Sequence, residues 1–157
     1  MAYNNRYGAY NAYQQVGVKT ASPGKLIVML YEGAVSHLEK ALDLIDNEDK
    51  IEAKNIENFG NHIQKVTDII SELQCSLNME KGETQQDKER LKMSESLMSL
   101  YIWFNQELLN ITISHDKKQL ANIHKMLSDL LNSWKEALNS GAGAGVGSEH
   151  QSLSITS

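Results

Sequence analysis

The sequence predicts an all-α fold: an antiparallel up-down-up-down four-helix bundle with a flexible N-terminal arm and a disordered Gly-rich C-terminal tail. Three observations carry that prediction. Apolar residues recur at steps of three and four through most of the chain, no strand-like alternation of useful length appears, and the single proline, Pro23, leaves the remaining chain free to be helical. Short connections between long helices then force neighbours to run antiparallel. The 157 residues suit one domain, and 41% apolar with 22% charged residues excludes wholesale disorder. The chain divides into an arm over 1–19, a bundle over 20–139 and a tail over 140–157.

Ser22-Pro23 marks the start of the first helix, because the serine oxygen can accept an orphan backbone N–H and proline at the first position lacks the donor that would go unpaired. This helix is expected from about Pro23 to Asp46, with Ile27, Leu30, Ala34, Leu38, Ala41 and Ile45 on its inner face. Asp49 with Glu52 resembles a capping box for the second helix. Its seam runs Ile56, Phe59, Ile63, Val66, Ile70, Leu73, Leu77, a heptad stripe suited to shallow packing angles. Lys81-Gly82 is expected to end it with a left-handed glycine cap.

The third helix is expected from Thr84 or Asp87 to Ile113, with Leu97, Leu100, Phe104, Leu108 and Ile111 inward. Asp116 with Gln119 starts the fourth, whose inner face is Leu120, Ile123, Leu127, Leu130, Trp134 and Leu138. The tail opens on Ser140-Gly141-Ala142-Gly143, a flexible-linker composition.

A bundle helix needs one apolar stripe, and the third helix has two. With its inner face set aside, Met98, Ile102, Leu109 and Ile113 form a second row at helical spacing; Val28, Tyr31 and Val35 do something similar on the first helix. Such a row left in water favours binding, since burying each side chain is worth about 1.5–3 kcal/mol. The arm carries Tyr3, Tyr7, Tyr10 and Tyr13, and could cover such a groove until a partner displaces it.

Composition excludes other classes. A net charge of -5 leaves no basic face to neutralise phosphates, so no nucleic acid is expected as partner. No secretory signal and no membrane span is visible, which predicts a cytoplasmic protein. Cys75, the only cysteine, rules out an internal disulfide and is expected to be buried or half-buried between Leu73 and Leu77. A di-iron bundle would need Glu-x-x-His pairs, but Ala34, Phe59, Thr112 and Ala121 stand three before His37, His62, His115 and His124. No metal, cofactor or catalytic residue is expected, and the chain reads as a non-enzyme.

Tyr13-Gln14-Gln15-Val16, Thr20-Ala21-Ser22-Pro23 with Lys25-Leu26-Ile27-Val28-Met29-Leu30-Tyr31-Glu32-Gly33-Ala34, Glu80-Lys81-Gly82, Leu100-Tyr101 and Trp134 resemble the flagellin-specific export chaperone family, over roughly residues 7 to 139. The resemblance implies a four-helix bundle that binds the disordered C-terminal segment of flagellin, prevents its premature polymerisation and keeps it competent for flagellar type III secretion. It also implies an N-terminal segment packed on the flagellin surface, with its aromatic anchor at Tyr13 and its aliphatic anchor at Tyr10, a departure in residue type. The polar stretch Glu83-Thr84-Gln85-Gln86-Asp87-Lys88-Glu89-Arg90 is longer than usual and reads as an extended loop or extra turns of the third helix. The expected partner-binding residues are Tyr10, Tyr13, Met98, Ile102 and Leu109. Further partners are the export apparatus or a co-chaperone, and the chain itself is expected as a monomer or weak homodimer.

One reading from another class competes. His62-Ile63-Gln64-Lys65 fits the His-x-x-Lys of a histidine phosphotransfer domain, also a four-helix bundle. Val66 follows where such domains want a small residue, and it lies on the core seam, so a solvated surface histidine is the simpler account of His62.

Overall fold

The computed structural model describes residues 22–143. They form four α-helices, α1 (Pro23–Leu42), α2 (Ile56–Ser76), α3 (Gln85–Ser114) and α4 (Lys117–Gly143), with a 3-10 turn at Ala53–Asn55 and no strand among the described residues. α1 packs along α2 and α4, while α3 packs along α2 and only lightly against α4. One continuous core joins them: Leu30, Ala34 and Leu38 of α1, Phe59, Ile63, Val66 and Ile70 of α2, Phe104, Leu108 and Ile111 of α3, and Leu120, Ile123 and Leu127 of α4. The expected inner faces of α1 and α2 are buried except at the α2 ends, where Ile56 is exposed and Leu77 half-buried.

Helix starts follow local chemistry. Ser22 Oγ accepts from the Lys25 N–H at 3.2 Å, with Pro23 in the first position. Thr84 caps α3 in a reciprocal box: its hydroxyl accepts from the Asp87 N–H at 3.0 Å, and the Asp87 carboxylate accepts from the Thr84 N–H at 3.4 Å. Those bonds hold the Asp87 carboxyl below its ordinary range. The polar 83–90 stretch is therefore mostly additional helix at the start of α3. Asp116 caps α4 by accepting from the Gln119 N–H at 3.0 Å.

Three boundaries differ from the sequence reading, each for a local reason. α1 stops at Leu42, because the Asp46 carboxylate accepts from the backbone N–H groups of Glu48 (2.8 Å) and Lys50 (3.0 Å) and closes a turn that competes with helix. Asp49 does not cap α2. It takes a left-handed conformation (φ 61°), and its Oδ1 accepts from the Lys117 N–H at 3.0 Å, so it caps α4 from 68 residues away. α2 ends at Ser76, and Gly82 is no left-handed cap. The Arg90 guanidinium donates to the Asn78 and Glu80 carbonyls, drawing the connection against α3. Gly82 then lies where an added Cβ would strike the Asp87 carboxylate.

Side-chain placement also corrects the reading. Val28 and Tyr31 belong to the core instead of a second stripe, and Val35 is packed against it. α1 touches two helices along its length, so it needs a broad apolar face. Leu131 is buried on α4, where Leu130, Trp134 and Leu138 are only partly so. Cys75 is exposed; two residues past the buried Leu73 is roughly 200° around the helix. α4 continues to Gly143, past the Ser140 expected to open the tail; the rest of the tail and the arm lie outside the described residues.

Asp49 serves α4 through its acceptor and its left-handed backbone together. Asp49→Ala should lower stability by about 1–2 kcal/mol in urea unfolding, whereas Asp49→Asn, which keeps both properties, should cost a few tenths at most. Equal losses in the two variants would mean that Asp49 does not cap α4.

Candidate functional site: the outer face of α3

α3 has 30 residues, yet among its large side chains only Tyr101, Phe104, Leu108 and Ile111 are fully buried. Leu97, Leu100 and Trp103 are half-buried against them, with Trp103 tilted on Phe104 at 5.6 Å between ring centroids. Leu100 and Tyr101 divide the inward role differently from the expected pattern, because Tyr101 has a partner in the core. Its hydroxyl lies 2.5 Å from that of Tyr31 on α1, and either can donate. Trp134 of α4 stands 6.3 Å from the Tyr31 ring. Burial raises the Tyr31 and Tyr101 phenols above their ordinary range, so both stay protonated and the pair remains a neutral hydrogen bond.

The other side of α3 carries the apolar row. Ile102 is 45% exposed, Leu109 64% and Ile113 81%, while Met98 at the head of the row is half-buried. Between Ile102 and Leu109 sits Asn105, whose Oδ1 is enclosed and without a hydrogen-bond partner among the described residues. On the far side of the helix, the Gln119 amide of α4 donates to Glu107 at 2.9 Å. At about 100° per residue, Ile102 and Leu109 lie roughly 140–160° around from Glu107. The row therefore faces away from α4.

Phe59 of α2 meets His115, the C-cap of α3, edge-on at 5.5 Å. Exposed Ile56, one turn before Phe59, thus stands at the same end of the bundle as Ile113. Sequence reading missed Ile56 as a surface residue because it fell on the regular seam; its place at the helix start was the only available signal. Met79 and Met93 are likewise exposed and were not singled out. Met98, Ile102 and Leu109 share one row, while Tyr10 and Tyr13 lie outside the described residues.

His62 is not a freely solvated histidine. It is half-buried, and its Nδ1 faces the Nδ1 of His37 at 3.0 Å. No group of three or more potential metal ligands converges among the described residues, and no helix there is long and apolar enough to cross a membrane.

A helical bundle with an aliphatic row in water defines a class, the partner-binding bundle, in which the working part is a surface. The chain belongs to the flagellar protein FliS family, whose family model matches residues 4–141. It is 32% identical to the flagellar secretion chaperone FliS of Bacillus subtilis over 131 residues, covering 83% of this chain and 86% of the relative. The protein of the same name from Campylobacter jejuni is 31% identical over 131 residues, covering 83% and 91%. That of Salmonella typhimurium is 30% identical over 130 residues, covering 80% and 86%. The phosphotransfer reading of His62 finds no support in these likenesses.

The Tyr31–Tyr101 pair fixes the face that α3 turns inward. Tyr31→Phe strands the buried Tyr101 hydroxyl and should cost about 1–3 kcal/mol in urea unfolding, whereas Tyr101→Phe leaves the Tyr31 hydroxyl its contact with Trp134 and should cost less. The double variant strands neither, so its loss should fall well below the sum of the two. Strict additivity would show that the hydroxyls are not coupled.

Proposed function

We propose that this protein is a cytoplasmic, non-enzymatic export chaperone that holds the disordered C-terminal segment of flagellin on the outer face of α3. In this role it prevents premature polymerisation and keeps flagellin competent for type III secretion. The exposed Ile102–Leu109–Ile113 row carries the reading, and the secretion-chaperone names of the relatives support it. The helices run up-down-up-down, a sense favoured by the two-residue connection His115-Asp116 between α3 and α4. Residues 1–19 act as an arm, with Tyr10 and Tyr13 as a cover that the client displaces, and Met98, Ile102 and Leu109 contact the client.

The mechanism is coupled folding and binding. The client gains apolar burial along an extended contact and loses the entropy of its disordered state, and no nucleotide is required.

Because Ile102 and Leu109 are exposed, replacing both by Asp leaves the core untouched. The urea midpoint should stay close to that of the parent chain. Calorimetric affinity for a peptide copying the C-terminal segment of the organism's flagellin should fall at least about 100-fold. Retained affinity in a folded double variant would place the groove elsewhere.

A further inference from the structure

His37 on α1 and His62 on α2 meet with their Nδ1 atoms 3.0 Å apart and their rings 5.2 Å between centroids. At that distance both Nδ1 atoms cannot carry a proton, so at least one presents a lone pair to the other. Burial, the neighbouring His62 and the ammonium groups of Lys65 and Lys40 hold the His37 imidazole down to about 4; burial, Lys40 and Lys65 lower His62 as well. Both rings are therefore neutral at physiological pH, the form in which imidazole binds a metal.

The spacing suits one ion. Two nitrogens at about 2.0–2.1 Å from a common metal lie about 2.9 Å apart at a right angle and about 3.4 Å apart at the tetrahedral angle. The observed separation falls inside that interval, so the two Nδ1 atoms stand at a distance that one ion can bridge.

We infer that His37 and His62 form a two-imidazole site for a borderline divalent transition-metal ion, of the class of Zn2+, Ni2+ and Cu2+, which clips α1 to α2. Imidazole favours this class over Mg2+ or Ca2+, which prefer oxygen ligands. No third protein ligand joins the pair among the described residues, so water completes the coordination. Lys40 and Lys65 also oppose a dication. Both facts keep the affinity far weaker than that of a closed four-ligand zinc site. An ion that binds the folded pair and not the unfolded chain stabilises the fold by mass action.

The full-length chain without an affinity tag, titrated with ZnCl2, NiCl2 or MgCl2 in a calorimeter, tests this directly. Zn2+ and Ni2+ should bind saturably at the pair and raise the urea midpoint with concentration, while Mg2+ does neither. His37→Gln and His62→Gln should each weaken binding at least about tenfold and move the midpoint shift to correspondingly higher metal concentration. The electron paramagnetic resonance spectrum of the Cu2+-loaded parent chain, which requires no variant to fold, should show coupling to two imidazole nitrogens. Unchanged affinity in both variants, no midpoint shift in the parent chain or a one-nitrogen spectrum would overturn the assignment, and the first would move binding to His115, His124 or His150.

Discussion

Two phenol hydroxyls in the middle of the core, Tyr31 on α1 and Tyr101 on α3, set how α3 lies in the bundle. α1 and α3 share little backbone proximity, since α1 packs along α2 and α4 while α3 packs chiefly along α2. The tyrosine pair reaches across that gap. Once Tyr101 points inward, helical geometry sends Phe104, Leu108 and Ile111 the same way and leaves Ile102, Leu109 and Ile113 outside. A buried hydroxyl pair would cost stability if either partner turned away. The outward row is thus the counterpart of a satisfied polar contact within.

Magnitudes indicate what such a row can achieve. Covering Ile102, Leu109 and Ile113 contributes about 1.5–3 kcal/mol each at most. Ordering a previously unfolded segment costs about 1–2 kcal/mol per residue in the backbone alone. Three side chains therefore offset only a few residues of client, and the client must bring apolar side chains of its own along a long contact. That arithmetic fits a holding chaperone, whose cargo must later be released, better than a permanent subunit interface.

Much of the fold was legible in the sequence. Ser22-Pro23, the Phe59-to-Leu73 seam and Asp116 act through neighbours three or four residues away, and the structure places them as read. Thr84, named as one of two possible starts for α3, is its cap. The misread positions depend on distant partners. Asp49 satisfies a helix 68 residues onward, Gly82 yields space to Asp87, and Tyr31 turns inward because of Tyr101. Periodicity separated the outer row of α3 from its inner face, since both lie on one long helix. It failed for Val28 and Tyr31, because nothing local reveals that α1 is packed on two sides. The His37–His62 contact, between residues 25 apart on different helices, had no signature at all.

The central claim is that the outer face of α3 receives the client. Hydrogen–deuterium exchange of the full chain, with and without the C-terminal segment of flagellin, tests it most directly. The account predicts slowed exchange concentrated over residues 98–113 when the segment is bound. Slowing confined to α1 and α4, with α3 unchanged, would contradict it.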